Sequence, residues 1–420
     1  MSDYRDADYF NDRSLVNDPH PYFEHLRLMG PAVYLPKHNV VAVTGYDEGI
    51  AVLMDHDTFS SINSATGPVP PLPFKAESDN ISEQIRRFRG EMTFGAMLVT
   101  QDPPEHTRSR SLLMGLLTPD RLRENEQFIH AAAERKISEF IDRGRFEAVS
   151  EFARPMATLT IADLLGVPEE DHQQFCGFFG TLPGQIGGDV PLANNPMTQV
   201  AMHFYKYVEA RRREPRKDAM TRLAQAQNPD GALPDIAEIV SHAAVLFGAG
   251  QDTTVRLIAA MLRTLGENPA LQRQVREDRS RISDFAEEVL RLDGPVKAHF
   301  RLAKRRAKIG NVDVAPGTTV MLVQSAMSRD PRRFDAPNDF RLDRKNRLSQ
   351  LAFGRGIHSC VGAALARKEA KLALEHLFDR IADIRIDEAI HGPKNARRYD
   401  YEPNYTQRAL CAVHIQFTKS

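Results

Sequence analysis

The chain has 420 residues, 42% of them apolar, enough to bury a large core without disulfides. Its 55 Lys+Arg and 56 Asp+Glu leave a formal net charge of -1, a balance that argues against nucleic-acid binding and against a polybasic membrane patch. The three cysteines, Cys176, Cys360 and Cys411, are odd in number and far apart, so no disulfide framework is expected and a reducing, cytoplasmic setting fits best.

In chain order, the polar start MSDYRDADYFNDRS does not read as a signal peptide, and no later run has the length of a membrane span. Val40–Thr44 reads as a strand. Ser60–Pro73, with its PVPPLP run, cannot be helix or inner strand and reads as a long surface loop. Asp102 before two prolines suits the N-cap of a helix over Pro103–Leu117, and Asp120–Ile141 is a second, amphipathic helix. Leu182–Pro196 is rich in Gly and Pro and reads as another mobile connection; such loops are often lids. Pro234–Leu265 is the longest helical segment, and its almost wholly apolar middle predicts burial on most sides. Arg281–Leu292 and the Ala/Leu-rich Ala363–Leu377 are further helices. Strands are expected at Lys308–Val314, Thr318–Gln324 and Ala409–Phe417. The chain is therefore mainly α with a minor antiparallel β part, threaded as one domain over residues 1–420.

The most informative stretch is Phe353-Gly-Arg-Gly-Ile-His-Ser-Cys-Val-Gly362. Glycines permit backbone angles and close approaches that a Cβ forbids, as a large flat cofactor lying on the backbone would require. The loop runs into the Ala363–Leu377 helix, so Cys360 sits at a helix N-terminus, where free N–H groups and the dipole favour a thiolate. A thiolate is a strong electron donor to iron. A phosphate loop is the decoy: Gly354 and Gly356 begin G-x-G-x-x-G, but Ser359 stands at its third glycine. A buried structural cysteine is the plainer alternative, and Cys176 and Cys411 keep that reading.

The long apolar helix carries Phe247-Gly-Ala-Gly-Gln-Asp-Thr-Thr254. Each interior glycine costs about 1 kcal/mol relative to alanine, adjacent threonines stiffen the chain, and an acid in an apolar helix is costly unless paired. Several broken rules at one place point to function. An alcohol beside a carboxylate can bind dioxygen and relay protons, and Gly248 and Gly250 would keep the helix thin where oxygen and substrate must fit. A packing kink against another helix is the alternative.

Among many Glu/Arg pairs at i, i+3, Glu288/Arg291 lies between these two motifs. His106 and Arg110 are four apart, one helix face, and suit an anionic group as charge-assisted donors, or a solvated basic surface.

These motifs together resemble the cytochrome P450 family over the whole chain. The cysteine loop matches F-G-x-G-x-H-x-C-x-G at every fixed position, and Ala249, Gly250, Asp252, Thr253 and Thr254 match [AG]-G-x-[DE]-T-[TS]. The resemblance implies the cytochrome P450 fold, haem b bound through Cys360, and O2 as co-substrate. It implies Asp252 and Thr253 as the acid–alcohol pair, with Ala249, Gly250, Phe353, Gly354 and Gly362 against the haem. His106, Arg110, Arg301 and His358 then meet its propionates. Glu288, Arg291 and Arg333 form a structural charge cluster; here the family's acid in that stretch is replaced by Arg332. The acidic residues that often follow the propionate arginine are replaced by Lys304, Arg305 and Arg306.

The implied reaction is monooxygenation, with peroxide-driven oxygenation or non-catalytic ligand binding as alternatives. No flavin, nicotinamide or iron–sulfur motif is present, so electrons are expected from a ferredoxin with its reductase, docking near Arg355, Arg367 and Lys368. Phe94, Met97, Leu98, Leu246, Phe247, Val296, Ala298 and Phe300 are expected to line the substrate pocket, which favours a small or medium terpenoid, aromatic or steroid-like molecule. Lys297 and His299 alternate with the last three and are expected to point away from it.

Overall fold

The computed structural model describes residues 4, 7–15, 17–179, 195–228 and 230–420, so most of the expected connection at Leu182–Pro196 lies outside the described residues. Among the described residues ten short strands are formed: β1 (Ala32–Leu35), β2 (Val40–Val43), β3 (Phe59–Ser60), β4 (Arg145–Glu147), β5 (His299–Ala303), β6 (Ala307–Ile309), β7 (Val312–Val314), β8 (Thr319–Leu322), β9 (Arg385–Ile386) and β10 (His414–Gln416). Helices make up most of the remainder, and the chain divides into two compact units.

The first unit comprises residues 1–107, 290–360 and 403–408. Its sheet runs β1-β2-β8-β5-β3, with β2 and β8 parallel and the other pairs antiparallel. Every residue of β2 and β8 is buried, the condition under which a parallel pair is stable in an otherwise antiparallel sheet. The expected strand Lys308–Val314 is a hairpin: Gly310-Asn311 turns the chain so that Ile309 faces Val312. The strand expected over Thr318–Gln324 ends at Leu322. Ser60–Pro73 is loop beyond β3, but Ser61, Ile62 and Asn63 are buried rather than on the surface.

The second unit comprises residues 108–289, 361–402 and 409–420. The long helix, Ile236–Glu267, packs on helices Arg154–Leu165 and Pro196–Arg213. Pro119–Phe140, capped by the Thr118 side chain, packs on Arg154–Leu165 and on Ala363–Arg380. A small antiparallel sheet runs β4-β10-β9. The strand expected over Ala409–Phe417 shrinks to His414–Gln416, because Leu410 instead bridges back to Tyr401.

Candidate active site

The cysteine loop lies in the first unit up to Cys360. Gly354 and Gly356 take φ of 65° and 72°, a region that L side chains rarely adopt. At Gly356 a Cβ would also meet the Leu53 carbonyl oxygen at 2.5 Å, so this turn tolerates no side chain. The Cys360 N–H donates to the Phe353 carbonyl at 2.9 Å, and the Ser359 N–H to that of Gly356 at 3.0 Å. The loop thus fixes Cys360 by its own backbone, with an exposed side chain outside any disulfide. Gly362 is the N-cap of Ala363–Arg380, its carbonyl accepting from the Ala366 N–H at 2.9 Å.

Three cationic or cation-forming groups sit in the same unit. The His106 and His358 ring centroids are 4.1 Å apart, and His106 is buried. Arg301, on β5, is 5% exposed; its Nη1 donates to the Phe300 carbonyl at 2.7 Å, and no carboxylate of the described residues lies within ion-pair distance. Burial pushes its pKa down to about 10, against the pull of the more distant Asp102. A buried guanidinium without a carboxylate is costly, and an anionic group brought in by a ligand would offset that cost. Exposed thiol, two imidazoles and an uncompensated guanidinium are the donor set that a haem's iron and propionates require. The Asp102 side chain does not cap the helix after it: it accepts from the Ser60 hydroxyl and the Ser61 N–H at 2.5 and 2.8 Å, and that helix runs Glu105–Met114.

The strand carrying Arg301 corrects two pocket assignments. Ala298 and Phe300 are fully buried in an apolar cluster with Tyr9, Phe23, Val40 and Met321, so they are core and not pocket residues. Side chains alternate along a strand, so residues lining a site with Arg301 share its parity. His299 does, and the charge of Arg301 joins burial in lowering its pKa to about 4, which keeps the imidazole neutral. His299 therefore faces Arg301's side, contrary to the expectation. Lys297 precedes the strand and turns elsewhere, donating to the Asn404 carbonyl at 2.5 Å beside the Tyr9 ring. Val296 bridges to Gln407. Phe94 is exposed with φ of 62°, Met97 is half-buried and Leu98 is buried.

The oxygen-helix motif lies in the second unit. Within a helix buried along most of its length, Val245, Ala249, Gly250, Asp252 and Thr253 keep accessible surface, and Ala249 is exposed. Val245, Ala249 and Thr253 recur every fourth residue and form one open stripe. Leu246 and Phe247 are not on it: both are buried, and Phe247 packs edge-to-face on Phe175 and Phe204. The glycines also lie against neighbouring helices. A Cβ on Gly250 would lie 3.0 Å from Ile161 Cδ1, and one on Gly248 3.0 Å from Met197 Sδ. At these two positions a side chain would press on the neighbouring helices.

The Thr253 hydroxyl donates to the Ala249 carbonyl at 2.8 Å. Asp252 receives Arg256 Nε and Nη2 at 2.8–3.0 Å, and Nη2 also reaches Glu402 at 3.2 Å. Arg256 was readable as an i, i+4 partner of Asp252, and Val245 as the turn before Ala249. Glu402 comes from a distant segment with no sequence signal. Glu369, on the helix after the cysteine loop, was also missed; it is buried, and desolvation raises its pKa to about 8.

Arg110 shares the Glu105–Met114 helix with His106, and Arg291 donates to the carbonyls of Ser328, Pro337 and Asp339. Glu288 is buried on the same helix as Arg291, Ile282–Asp293. Arg333 donates to Ser349 and lies over Tyr46, while Arg332 pairs with Glu48 and Asp330. Arg367 and Lys368 are paired with Glu287 and Glu126; Arg355 donates to the Leu348 carbonyl. Among the described residues no helix is long and apolar enough to cross a membrane.

The cytochrome P450 family profile matches residues 160–381. The chain is similar to cytochrome P450 CYP150A6 of Mycobacterium marinum, solved substrate-free: 47% identical, covering 100% of both chains, TM-score 0.94. It is 32% identical to 6-deoxyerythronolide B hydroxylase of Saccharopolyspora erythraea, over 82% of this chain and 83% of that protein. CYP109E1 of Bacillus megaterium, solved with testosterone, is 26% identical over 96% of this chain and 99% of that one, with a TM-score of 0.78. The chain belongs to the cytochrome P450 family, and it is a haem-thiolate monooxygenase.

Proposed function

We propose that the chain acts as one cytochrome P450 domain whose haem b is ligated by Cys360 and held through its propionates by His106, Arg110, Arg301 and His358. In this reading Phe353, Gly354, Gly362, Ala249 and Gly250 contact the haem, and Glu288, Arg291 and Arg333 brace the core around it. The haem supplies the reductive activation of O2, one atom of which enters the substrate. The single observation that carries the reading is the acid–alcohol pair: Thr253 turned back on the Ala249 carbonyl, beside an Asp252 held by Arg256. With its own proton committed to that carbonyl, the Thr253 oxygen would accept a hydrogen bond from an O–H group in the pocket and so hold that group in place. Asp252 would deliver protons to the pocket and be recharged from solvent. A protein that only bound ligands, or ran on peroxide, would have no use for this pair.

The substrate is a small or medium neutral hydrophobic molecule of the terpenoid, aromatic or steroid class. The apolar Val245–Ala249 stripe and the neutral state of His299 support this, as does the testosterone bound by the Bacillus megaterium relative. Electrons come from a ferredoxin with its reductase. Of the basic residues expected to dock it, Arg355 has no carboxylate partner among the described residues, so its replacement by Glu should slow electron transfer more than replacement of Arg367 or Lys368. We place the reaction in the cytoplasm.

The test is a titration of the oxidised holoprotein's Soret band with neutral terpenoids, aromatics and steroids beside aromatic and fatty acids. A low-to-high-spin shift with one neutral class, followed by its oxygenation with NADH and a ferredoxin system, is expected. A shift with acids alone would overturn the neutral assignment. Turnover on peroxide with none on NADH would overturn the monooxygenase cycle.

A further inference from the structure

The acid of the pair is held by a guanidinium that it shares with a second carboxylate. Arg256 grips Asp252 with Nε and Nη2, and Nη2 is shared with Glu402. The guanidinium side chain is 5% exposed, Glu402 7% and Asp252 17%. Nη1 of Arg256 is buried with no hydrogen-bond partner, so the guanidinium has an uncommitted arm with which to change partners. Glu402 is anchored independently of the long helix. Its N–H donates to the Ala409 carbonyl at 2.9 Å, in a short antiparallel turn where Tyr401 pairs with Leu410 and the Cys411 N–H meets the Asp400 carbonyl.

We infer that Glu402 is a positioning residue for proton delivery: through Arg256 it sets how tightly Asp252 is held, and so how readily Asp252 can carry a proton. This rests on the monooxygenase reading above. A carboxylate bound two-pronged by a buried guanidinium can be protonated only by giving up that ion pair, which makes it a poor carrier. A second carboxylate removes the obstacle. When a solvent proton binds Asp252, the Arg256 guanidinium transfers its bonds to Glu402; when Asp252 passes the proton on, the guanidinium returns. Only O–H bonds form and break, Arg256 stays charged throughout, and one proton moves for each exchange.

The exchange requires Glu402 to be ionised. The groups facing it are Arg256 and Asp252 on the long helix, Arg154 at the start of Arg154–Leu165, and its own segment's Cys411, whose thiol also feels Asp400. Burial raises the Glu402 pKa, and Asp252 adds to this, against Arg256 and Arg154. Glu402 therefore takes up a proton at higher pH than an ordinary glutamate would. Once neutral it releases Arg256 wholly to Asp252 and the carrier is clamped. Turnover therefore has an acid limb set by Glu402, lost as pH falls through its raised pKa and fully present above it.

Two measurements test this. The first is a pH-difference infrared titration of the resting holoenzyme labelled with 13C-glutamate, which needs no turnover. A carboxyl band titrating above the usual range should be absent in E402Q, and in D252N its midpoint should move down, because Arg256 then serves Glu402 alone. The second is the pH profile and solvent isotope effect of turnover. E402Q should turn over about tenfold more slowly at neutral pH, with a larger isotope effect and no acid limb, and E402D should restore the limb. An E402Q enzyme with the wild-type profile and isotope effect, whatever its rate, would overturn the proposal, as would a Glu402 band indifferent to D252N. If E402Q does not fold, a wild-type profile in E402D overturns it equally. Absence of any O2-dependent turnover would sink the functional reading, while the infrared titration would still decide whether Glu402 and Asp252 share Arg256.

Discussion

The cysteine loop and the long helix both break local rules with glycine, and for opposite reasons. In the loop, Gly354 and Gly356 hold positive φ, so the backbone itself needs them. In the helix, Gly248 and Gly250 keep helical backbone, and a Cβ on either would press on what stands opposite, the Met197 and Ile161 side chains. A motif match gives the same weight to both pairs. Only the geometry separates a glycine that sets a turn from one that sets a distance between helices.

The largest effect is expected at Gly356. An alanine there is strained in φ and meets the Leu53 carbonyl, which is backbone and cannot move aside. Gly356→Ala should destabilise the holoprotein by about 3 kcal/mol and lower its haem content. Gly354→Ala carries the φ strain alone, since its Cβ would have ordinary contacts, the nearest at 3.7 Å, and should cost about 1 kcal/mol. Thermal unfolding and haem content of the two variants check this; equal losses would mean that the turn, and not the close approach, governs the loop.

In the long helix the comparable damage is to chemistry and not to stability. Asp252→Asn keeps the volume and leaves Arg256 paired with Glu402, so the fold should hold while turnover falls about tenfold to a hundredfold. Thr253→Ala should keep NADH oxidation near the wild-type rate and divert it from product to hydrogen peroxide. Product formed per NADH consumed reads both. An Asp252→Asn enzyme with unchanged turnover would remove the acid from the relay.

The same contrast explains what was legible beforehand. Residues that act through their own backbone or their neighbours in sequence could be read: the cysteine turn, the Asp252-Thr253 pair, the helices within two or three residues of their ends. Residues that act across the fold could not. Its position in the chain reads Ala298 as a pocket residue, yet strand parity with Arg301 opposes it. Its position on the long helix reads Phe247 as a pocket residue, whereas Phe175 and Phe204 claim it for the core. Glu402 lies 146 residues from Arg256, and no spacing rule reaches that far.

The smallest effect tests the helix glycines directly. Alanine is favoured over glycine in a helix by about 1 kcal/mol, but a Cβ on Gly250 would lie 3.0 and 3.1 Å from Cδ1 and Cγ1 of buried Ile161, tighter than ordinary contact. Overpacking typically costs 1–3 kcal/mol, so Gly250→Ala should come out destabilising by roughly 1 kcal/mol once the helix gain is subtracted. Ile161→Ala removes both close atoms and on its own should cost about 3 kcal/mol. In the double variant the new methyl group enters the space the isoleucine vacated, so the two losses should fall short of their sum by about 1 kcal/mol. A groove-keeping role predicts otherwise: Gly250→Ala would raise the melting temperature, weaken substrate binding in the Soret titration, and show no coupling to Ile161. The sign of that coupling therefore decides whether this glycine is there for the neighbouring helix or for the reactants.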